Sequence, residues 1–531
     1  MKSTHIPFQQ TGFFSDTMID YLEKKESIQP FYHHFPDLDG FRKQIEEKKS
    51  AFSSEHRSVL VEALKDQYVG FDASELTLEH INLLQEENTF TITTGHQLNL
   101  FTGPLYFLYK IISVINLCEE LSDQFPKQKF VPMYWMATED HDFDEINFFN
   151  YKGTKVVWNR PDGGPVGRFS TDGLDEVFEE FSKHLGTSKN AEYIKELFRN
   201  SYLEHSTLSA ATRYLANELF KKYGLVIIDA DDEKLKRLFA PIVKDELLHQ
   251  TSFKAVSSTI ADLEQSYNVQ VNPREINLFY MTDSIRERIV ESEGSYLVND
   301  TDIRFSKEEI LSELEQHPER FSPNVIMRPL YQEVILPNLC YVGGGGEMAY
   351  WLELKAYFEK VEIPFPILLL RNSVQVISEK QSKKLKNLSI SFEEIFLKQH
   401  ELLSKKVKQN SDIQFSFEDA QTLLEQQFNA LRNVAEQTDA SFIGAVNAQQ
   451  QKQLNGLENL RKRLLRAEKR SHADLVNRIT ELQNELLPNQ SLEERQRNFS
   501  EYYLEYGETF ISALRDSLKP LQLEFTILEA S

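Results

Sequence analysis

VPMYWMATEDHDFDE, residues 131–145, is the stretch on which the reading of this chain turns. Val131 to Met136 is an apolar run with the length of a buried strand. Directly after it come Glu139, Asp140, Asp142, Asp144 and Glu145, with His141 among them. Ligands of an open α/β sheet bind beyond the carboxyl ends of its strands, so an acidic burst in this place is a candidate site. Like charges at this density need cations, hydrogen-bond donors or water to receive them. A solvated acidic loop is the competing reading.

Working outward, Phe90 to Thr94 reads as a short strand and Pro104 to Leu121 as an apolar helix with Pro104 in its first turn. Downstream, LVIID (Leu225 to Asp229) is another buried strand, preceded by the helix-like TRYLANELFKKYG, whose Gly224 can supply the terminal turn. Pro366 to Leu370 is a further strand. Strands separated by helices predict parallel pairing and a doubly wound α/β sheet. Two insertions interrupt it: Tyr151 to Thr207, with the turn-rich NRPDGGPVGR and then charged helices, and about Thr251 to Pro323, which mixes helical and extended signals.

After Pro366 there is no proline until Pro488, and the only glycines in that interval are Gly444 and Gly456. Long helices follow from the absence of breakers. Leu457, Leu460, Leu464 and Ala467, then Leu475, Ile479, Leu482 and Leu486, form a coiled-coil seam with a stutter around Ser471. It can close on a second chain or, as an antiparallel hairpin, on the helix around Phe417 to Val434. The expected organisation is a core over 1–375 with insertions at about 151–207 and 251–323, a helical domain over 376–487, and a tail over 488–531 that folds back onto the core.

With 531 residues, 40% of them hydrophobic and 37 of them Phe, the chain can bury more than one core. A net charge of −23 argues against a nucleic-acid or anionic-membrane partner, because both need a basic surface. Cys118 and Cys340 make neither a disulfide framework nor a paired zinc motif and read as buried thiols. No apolar run approaches the roughly 20 residues that span a bilayer, and the first residues lack a signal-peptide pattern. A soluble, cytoplasmic protein is expected.

Three words carry chemistry. In TTGHQLNLFTGP, residues 93–104, a strand meets a helix through a glycine-punctuated turn. Backbone amides at a helix N-terminus attract anions, and His96 can donate to a phosphate oxygen. Gly95 and Gly103 permit close approach or a positive φ, and Gln97, Asn99 and Pro104 complete this candidate binding turn. In the acidic burst, His141 between Asp140 and Asp142 can be an oriented general base, with Glu139 as a substrate contact. The same carboxylates can hold a hard divalent cation, whereas zinc chemistry lacks a second His at ligand spacing. In LCYVGGGGEMAYW, residues 339–351, Gly343, Gly344, Gly345 and Gly346 end a strand and Glu347 opens a helix. This is neither G-x-G-x-x-G nor a Walker loop, but it builds a flat backbone surface for a nucleotide or sugar. Beside it, RPLYQEVILP offers Arg328, Tyr331 and Gln332 as anion and hydroxyl contacts. Lys380 and Lys383 of SEKQSKK can reach phosphates or simply open a solvated helix.

The words TGHQLNLFTGPLYFLYKI, VPMYWMATEDHDFDEIN, RPLYQEVILPNLCYVGGGGEMAYW and PFPILLLRNS, in that order over roughly residues 90–375, resemble the cysteine-adding enzymes of bacillithiol biosynthesis. The helical region and tail extend the likeness to nearly the whole chain. The resemblance implies a Rossmann-like core related to class I nucleotidyltransferases and cysteinyl-tRNA synthetase, two connecting insertions, a helical coiled-coil domain and a homodimer. The implied reaction joins L-cysteine through an amide to the free amine of glucosaminyl malate, with ATP activating the carboxylate. By the same likeness Gly95-His96-Gln97 stands where the synthetases carry "HIGH", and His96 would steady the phosphates of ATP. The chain departs from that pattern in the shortened word, in KQSKK as a poor echo of "KMSKS", and in lacking the synthetase zinc site. The acidic burst would bind the cysteine ammonium or deprotonate the sugar amine, and no resident metal is expected. Two other readings stay open: a non-catalytic nucleotide-binding coiled-coil scaffold of a thiol pathway, and a metal-dependent hydrolase built on Asp140, His141 and Asp142.

Overall fold

Five strands form the central sheet: β1 (Thr89–His96), β2 (Lys129–Met136), β3 (Val226–Asp229), β4 (Asn338–Gly343) and β5 (Ile367–Leu370). Their spatial order is β5-β4-β1-β2-β3, and every neighbouring pair is parallel. A parallel sheet is covered on both faces, which is why these strands are near-continuous apolar runs rather than alternating ones. The protein is seen here as a computed structural model that describes residues 1–161, 163–413, 415–438 and 440–530. From β1 the chain winds outward through β2 and β3, then crosses to the other side for β4 and β5. The reversal lies between β1 and β4, and a doubly wound Rossmann-like sheet opens its crevice at that point.

β1 runs beyond the expected Phe90 to Thr94 at both ends. Within it, buried Thr91 and Thr93 turn their hydroxyls to Asn338 Oδ1 on β4, Thr93 at 2.8 Å. Pairing with β2 continues to Gly95 opposite Trp135 and His96 opposite Met136, so those two residues end a strand and are not in the turn. The helix α1 (Tyr106–Gln124) follows, two residues beyond Pro104. Its Val114, Leu117 and Leu121 pack with Phe90, Ile92, Leu339, Val342, Ile367 and Leu369, all buried. Each such side chain contributes roughly 1.5–3 kcal/mol on burial, which fixes α1 against the sheet. Between β1 and α1, Phe101 (φ 47), Thr102 (φ 69) and Gly103 (φ 61) are left-handed in succession. Asn498 Nδ2 donates to the carbonyls of Phe101 (2.8 Å) and Gly103 (2.7 Å) and holds this costly turn in place.

The first insertion is a hairpin, Phe148–Tyr151 with Thr154–Val157, followed by helices Leu174–Ser182 and Lys189–Tyr202. Asp162 of its turn-rich piece lies outside the described residues. The second begins with helix Thr251–Leu263 and becomes an antiparallel sheet of Leu278–Met281, Arg286–Ser292, Ser295–Val298, Arg304–Ser306 and Phe321–Pro323. Its strands are three to seven residues long and are joined by tight turns such as Glu293-Gly294, too short for a period to emerge from sequence.

The chain forms two compact units. One comprises Met1–Gln9, Phe13–Gln375 and Glu493–Leu528; the other Gln10–Gly12, Val376–Leu492 and Glu529–Ser531. In the first unit, tail helices Phe499–Tyr506 and Glu508–Ser517 precede a strand beginning at Phe525 that pairs beside Lys2–Ile6. The second unit is helical. Glu418–Ala435 and Ala440–Ser471 form an antiparallel hairpin closed by Phe428, Ala435 and Val446, so this coiled coil pairs within the chain. The expected stutter is a true break: His472 (φ −101, ψ 36) separates the long helix from Ala473–Leu486. Ile479, Leu482 and Leu486 are buried, whereas Leu460 is 53% exposed. No helix among the described residues is long and apolar enough to cross a membrane.

Candidate active site

At the carboxyl ends of β1 and β4 lies a cleft of about 410 Å³ walled by Gly95, His96, Gln97, Tyr106, Lys110, Arg371 and the glycine run. Lys110, one turn into α1, sends its Nζ to the Gly95 carbonyl (2.8 Å) and to Glu347 Oε2 (2.6 Å). Glu347 sits on the short helix α2 (Gly345–Trp351) and also accepts from Tyr341 Oη (2.7 Å) and the Gly344 N–H (2.9 Å). Burial pushes the Glu347 carboxyl up, but Lys110 and these donors hold it below the usual range. Burial lowers the Lys110 ammonium in turn, with Glu347 opposing. Gly343 and Gly345 are closely packed, and an added Cβ would lie 3.0 Å from Tyr341 and 3.2 Å from Met18. A Cβ on Gly346 meets nothing within 4 Å, so there the run faces open space.

His96 is buried against Tyr106 and Phe107. Burial, reinforced by the Lys110 charge, brings its pKa down to about 3, so the ring is neutral. The Thr102 backbone takes a ring hydrogen bond, while Nε2 has no partner. A neutral imidazole whose proton is used on one nitrogen offers the other as an acceptor, so His96 is suited to a substrate N–H. Two cations also keep unspent donors. Arg371 grips Glu494 with both terminal nitrogens (3.1 and 2.7 Å) but leaves Nε without a partner. Arg328 lies over the rings of Trp135 (5.4 Å), Tyr341 (5.4 Å) and Trp351 (5.8 Å) with Nη2 unpartnered.

The acidic burst opens a second lobe of about 420 Å³, which shares Trp135, Ala137, Asp140, Val325, Arg328 and Tyr350 with the first. Its carboxylates diverge. Glu139 turns to Lys236 Nζ (2.9 Å) and Ser322 Oγ (2.5 Å), with burial raising its pKa against Lys236. Asp140 accepts from Gln97 Nε2 (2.9 Å) and the His141 N–H (2.8 Å), and it alone of the burst borders both lobes. The His141 ring is not oriented by a carboxylate: Arg286 Nη1 donates to its Nδ1 at 2.6 Å, while Asp140 Oδ1 stands 3.9 Å away. Burial and the Arg286 charge lower its pKa. Asp142 is exposed and lines neither lobe; partial burial and the charges of Glu145 and Asp140 raise its carboxyl. Spread this way, Asp140, His141 and Asp142 do not converge on one cation. Among the described residues only His33, His34 and Glu47, elsewhere in the fold, have metal-ligand proximity.

The family model for the N-terminal Rossmann-like domain of bacillithiol biosynthesis BshC matches residues 1–372, and that for its C-terminal coiled-coil domain matches residues 374–530. The chain belongs to the BshC family. A Flavobacterium johnsoniae relative named "Putative cysteine ligase BshC" is 56% identical over 99% of this chain and 100% of its own length. Relatives of the same name from Christiangramia forsetii (99% of each chain) and Flavobacterium psychrophilum (100% of each) are both 55% identical.

Not every candidate of this BshC member faces the cleft. Asn99 donates to the Glu145 carbonyl (3.1 Å) and lies beneath Gly103, whose added Cβ would meet it at 2.7 Å; with Pro104 these residues shape the turn behind His96. Tyr331 is fully buried with its hydroxyl on the Ala230 carbonyl (2.7 Å). Gln332 donates to Glu333 and accepts from Arg328 (3.2 Å), so it supports that guanidinium from behind. SEKQSKK opens helix Glu379–Asn387 with Ser378 as its cap, and Lys383 pairs with Glu379 at 2.6 Å. Lys110, Arg371 and Arg495 were missed, as were Arg274, Arg286 and Arg288 of the second insertion. The first two carried a signal: Lys110 is the sole basic residue of an apolar helix, and Arg371 directly follows a buried strand.

Proposed function

We propose that this cleft forms an amide between the carboxyl group of L-cysteine and the amine of glucosaminyl malate, the last step of bacillithiol biosynthesis, in a cytoplasmic homodimer. Membership in the BshC family and the cysteine-ligase name of its relatives support the reading. The observation that carries it is the two-lobed cleft at the switch point, whose lobes meet at Asp140 and Arg328. Two reactants held in adjoining lobes gain the advantage of proximity.

ATP would supply the energy by making a carboxylate oxygen a leaving group. The unpartnered nitrogens of Arg328 and Arg371 and the open backbone at Gly346 fit a polyanion there. The attacking amine must be neutral and must lose a proton as the amide forms. Asp140, which borders both lobes, is the acceptor for it, and His96 Nε2, neutral, unpartnered and of low proton affinity, accepts a hydrogen bond from the amine and orients it. The test is incubation of the protein with L-cysteine, glucosaminyl malate and ATP, followed by mass spectrometry. A thiol product with matched nucleotide consumption is expected. Product without loss of ATP would remove the activation step, and no product from folded protein would remove the ligase reading.

A further inference from the structure

The second lobe carries more arginine than its own carboxylates use. Arg274, Arg286, Arg288 and Arg328 all line it. Arg286 and Arg288 stand two apart on the strand Arg286–Ser292 and therefore point to the same face. Arg286 is fully committed, to Ser322 Oγ (3.0 Å), the Pro323 carbonyl (3.1 Å) and His141 Nδ1 (2.6 Å). Arg274 and Arg288 make no side-chain hydrogen bond or ion pair among the described residues, and Arg328 keeps Nη2 unpartnered. On the acidic side, Glu139 is taken by Lys236 and Ser322, while Asp140, bonded to the neutral amide of Gln97, leaves a single carboxylate against the four guanidiniums. A chain with net charge −23 thus leaves one cavity with unneutralised guanidinium forks. Ile276, Leu278 and Phe279 supply apolar lining to the same lobe. Guanidinium forks match carboxylates in pairs of parallel hydrogen bonds, and two forks across a small cavity select an anion with two separated carboxylates.

We infer that this lobe binds the dicarboxylate end of the acceptor substrate through Arg274 and Arg288. The acceptor's amine is thereby directed towards the junction at Asp140. The inference rests on the ligase reading for the identity of the acceptor, but its binding chemistry can be measured separately. The second insertion therefore supplies substrate selection, while the parallel sheet supplies the nucleotide and reacting groups.

The probe is L-malate alone, titrated calorimetrically into the full-length protein, with dimethyl malate as the uncharged control. L-malate binds and the diester does not. Arg274→Gln with Arg288→Gln weakens malate binding by about 10- to 100-fold, the usual worth of hydrogen bonds to charged groups. Neither side chain has a partner to lose, so the variant keeps the fold. In the coupled assay the same variant raises KM for glucosaminyl malate by a similar factor while kcat stays within about threefold, because binding lost equally from ground and transition states appears in KM. Absent binding of malate to the wild-type protein, or equal binding to the double variant, overturns the inference, as does its displacement by ATP with no effect of the arginine changes. Malate binding that depends on the arginines, without any thiol product, keeps the dicarboxylate site and removes the ligase reading. Product formation with unchanged KM in the double variant does the reverse.

Discussion

Lys110 Nζ lies 2.6 Å from Glu347 Oε2, and this ion pair, buried on the Lys110 side and partly open to the cleft at Glu347, joins the two sides of the switch-point crevice. Lys110 belongs to the helix after β1, Glu347 to the helix after β4. Burying two charges costs about as much as their attraction returns, so the pair is better understood as a positioning device. It sets the Gly95 carbonyl, the Gly344 N–H and the Tyr341 hydroxyl around one cation and one anion.

Removing Lys110 leaves Glu347 partly buried, with only Tyr341 and the Gly344 N–H to receive its charge. Lys110→Met is expected to lower unfolding free energy by about 1–3 kcal/mol, less than a fully buried pair would cost. Lys110→Met with Glu347→Gln restores a large part of it. Urea unfolding monitored by circular dichroism decides, and a single variant within about 1 kcal/mol of wild type contradicts the role given to the pair.

The depressed pKa of His96 has a signed consequence. An unfolded imidazole takes its proton near 6.5, whereas His96 in the fold waits until about 3. Between those values the unfolded chain holds more protons, so stability from this residue is present above pH 6.5 and is lost as pH falls towards 3. Wild-type stability is expected to fall more steeply between pH 6.5 and 4 than that of His96→Gln. Parallel pH profiles for the two proteins would show that the fold does not hold the ring neutral below about pH 6.5.

Asp140 and Asp142 are two residues apart but differ in surroundings: one borders both lobes, the other is exposed and borders neither. Asp140→Asn should reduce kcat/KM for thiol formation by at least about 100-fold, as expected for loss of a general base. Asp142→Asn should stay within a few-fold. Equal losses in both variants would assign the chemistry to the burst as a charge cloud.

Gly103 has φ +61, and an added Cβ would lie 2.7 Å from that of Asn99. Gly103→Ala is expected to cost about 1–3 kcal/mol and to disturb Thr102, which orients the His96 ring. A raised KM or reduced kcat alongside the lost stability tests that link; a destabilised enzyme with unaltered kinetics breaks it.

The apolar strands were legible because a parallel sheet buries both faces, and Val131 to Met136 therefore announced β2 without ambiguity. Phe90 to Thr94 reads as the strand and Gly95 and His96 as its turn because a glycine there signals a break; only the pairing of Gly95 with Trp135 and His96 with Met136 reveals the longer β1. The acidic burst was legible as a cluster beyond a strand end, but the partners of its side chains were not. Glu139 and His141 are governed by Lys236 and Arg286, which lie far off in sequence and come near only through tertiary packing. The arginine-lined lobe was invisible for the same reason, since its short antiparallel strands carry no readable period.

The pairing of β1 with β4 bears on how the protein is made. Thr93 and Asn338, bonded across those strands, are 245 residues apart in the chain. While the intervening chain emerges from the ribosome, the central strand has one of its two neighbours only, and an apolar strand with a bare edge invites mispairing. The crevice, the Lys110–Glu347 pair and the Arg371 side chain all come into being after translation has passed β5. Nascent chains halted in either insertion are therefore expected to be aggregation-prone and inactive, and the stretch of synthesis between β1 and β4 is the one in which chaperone protection matters most.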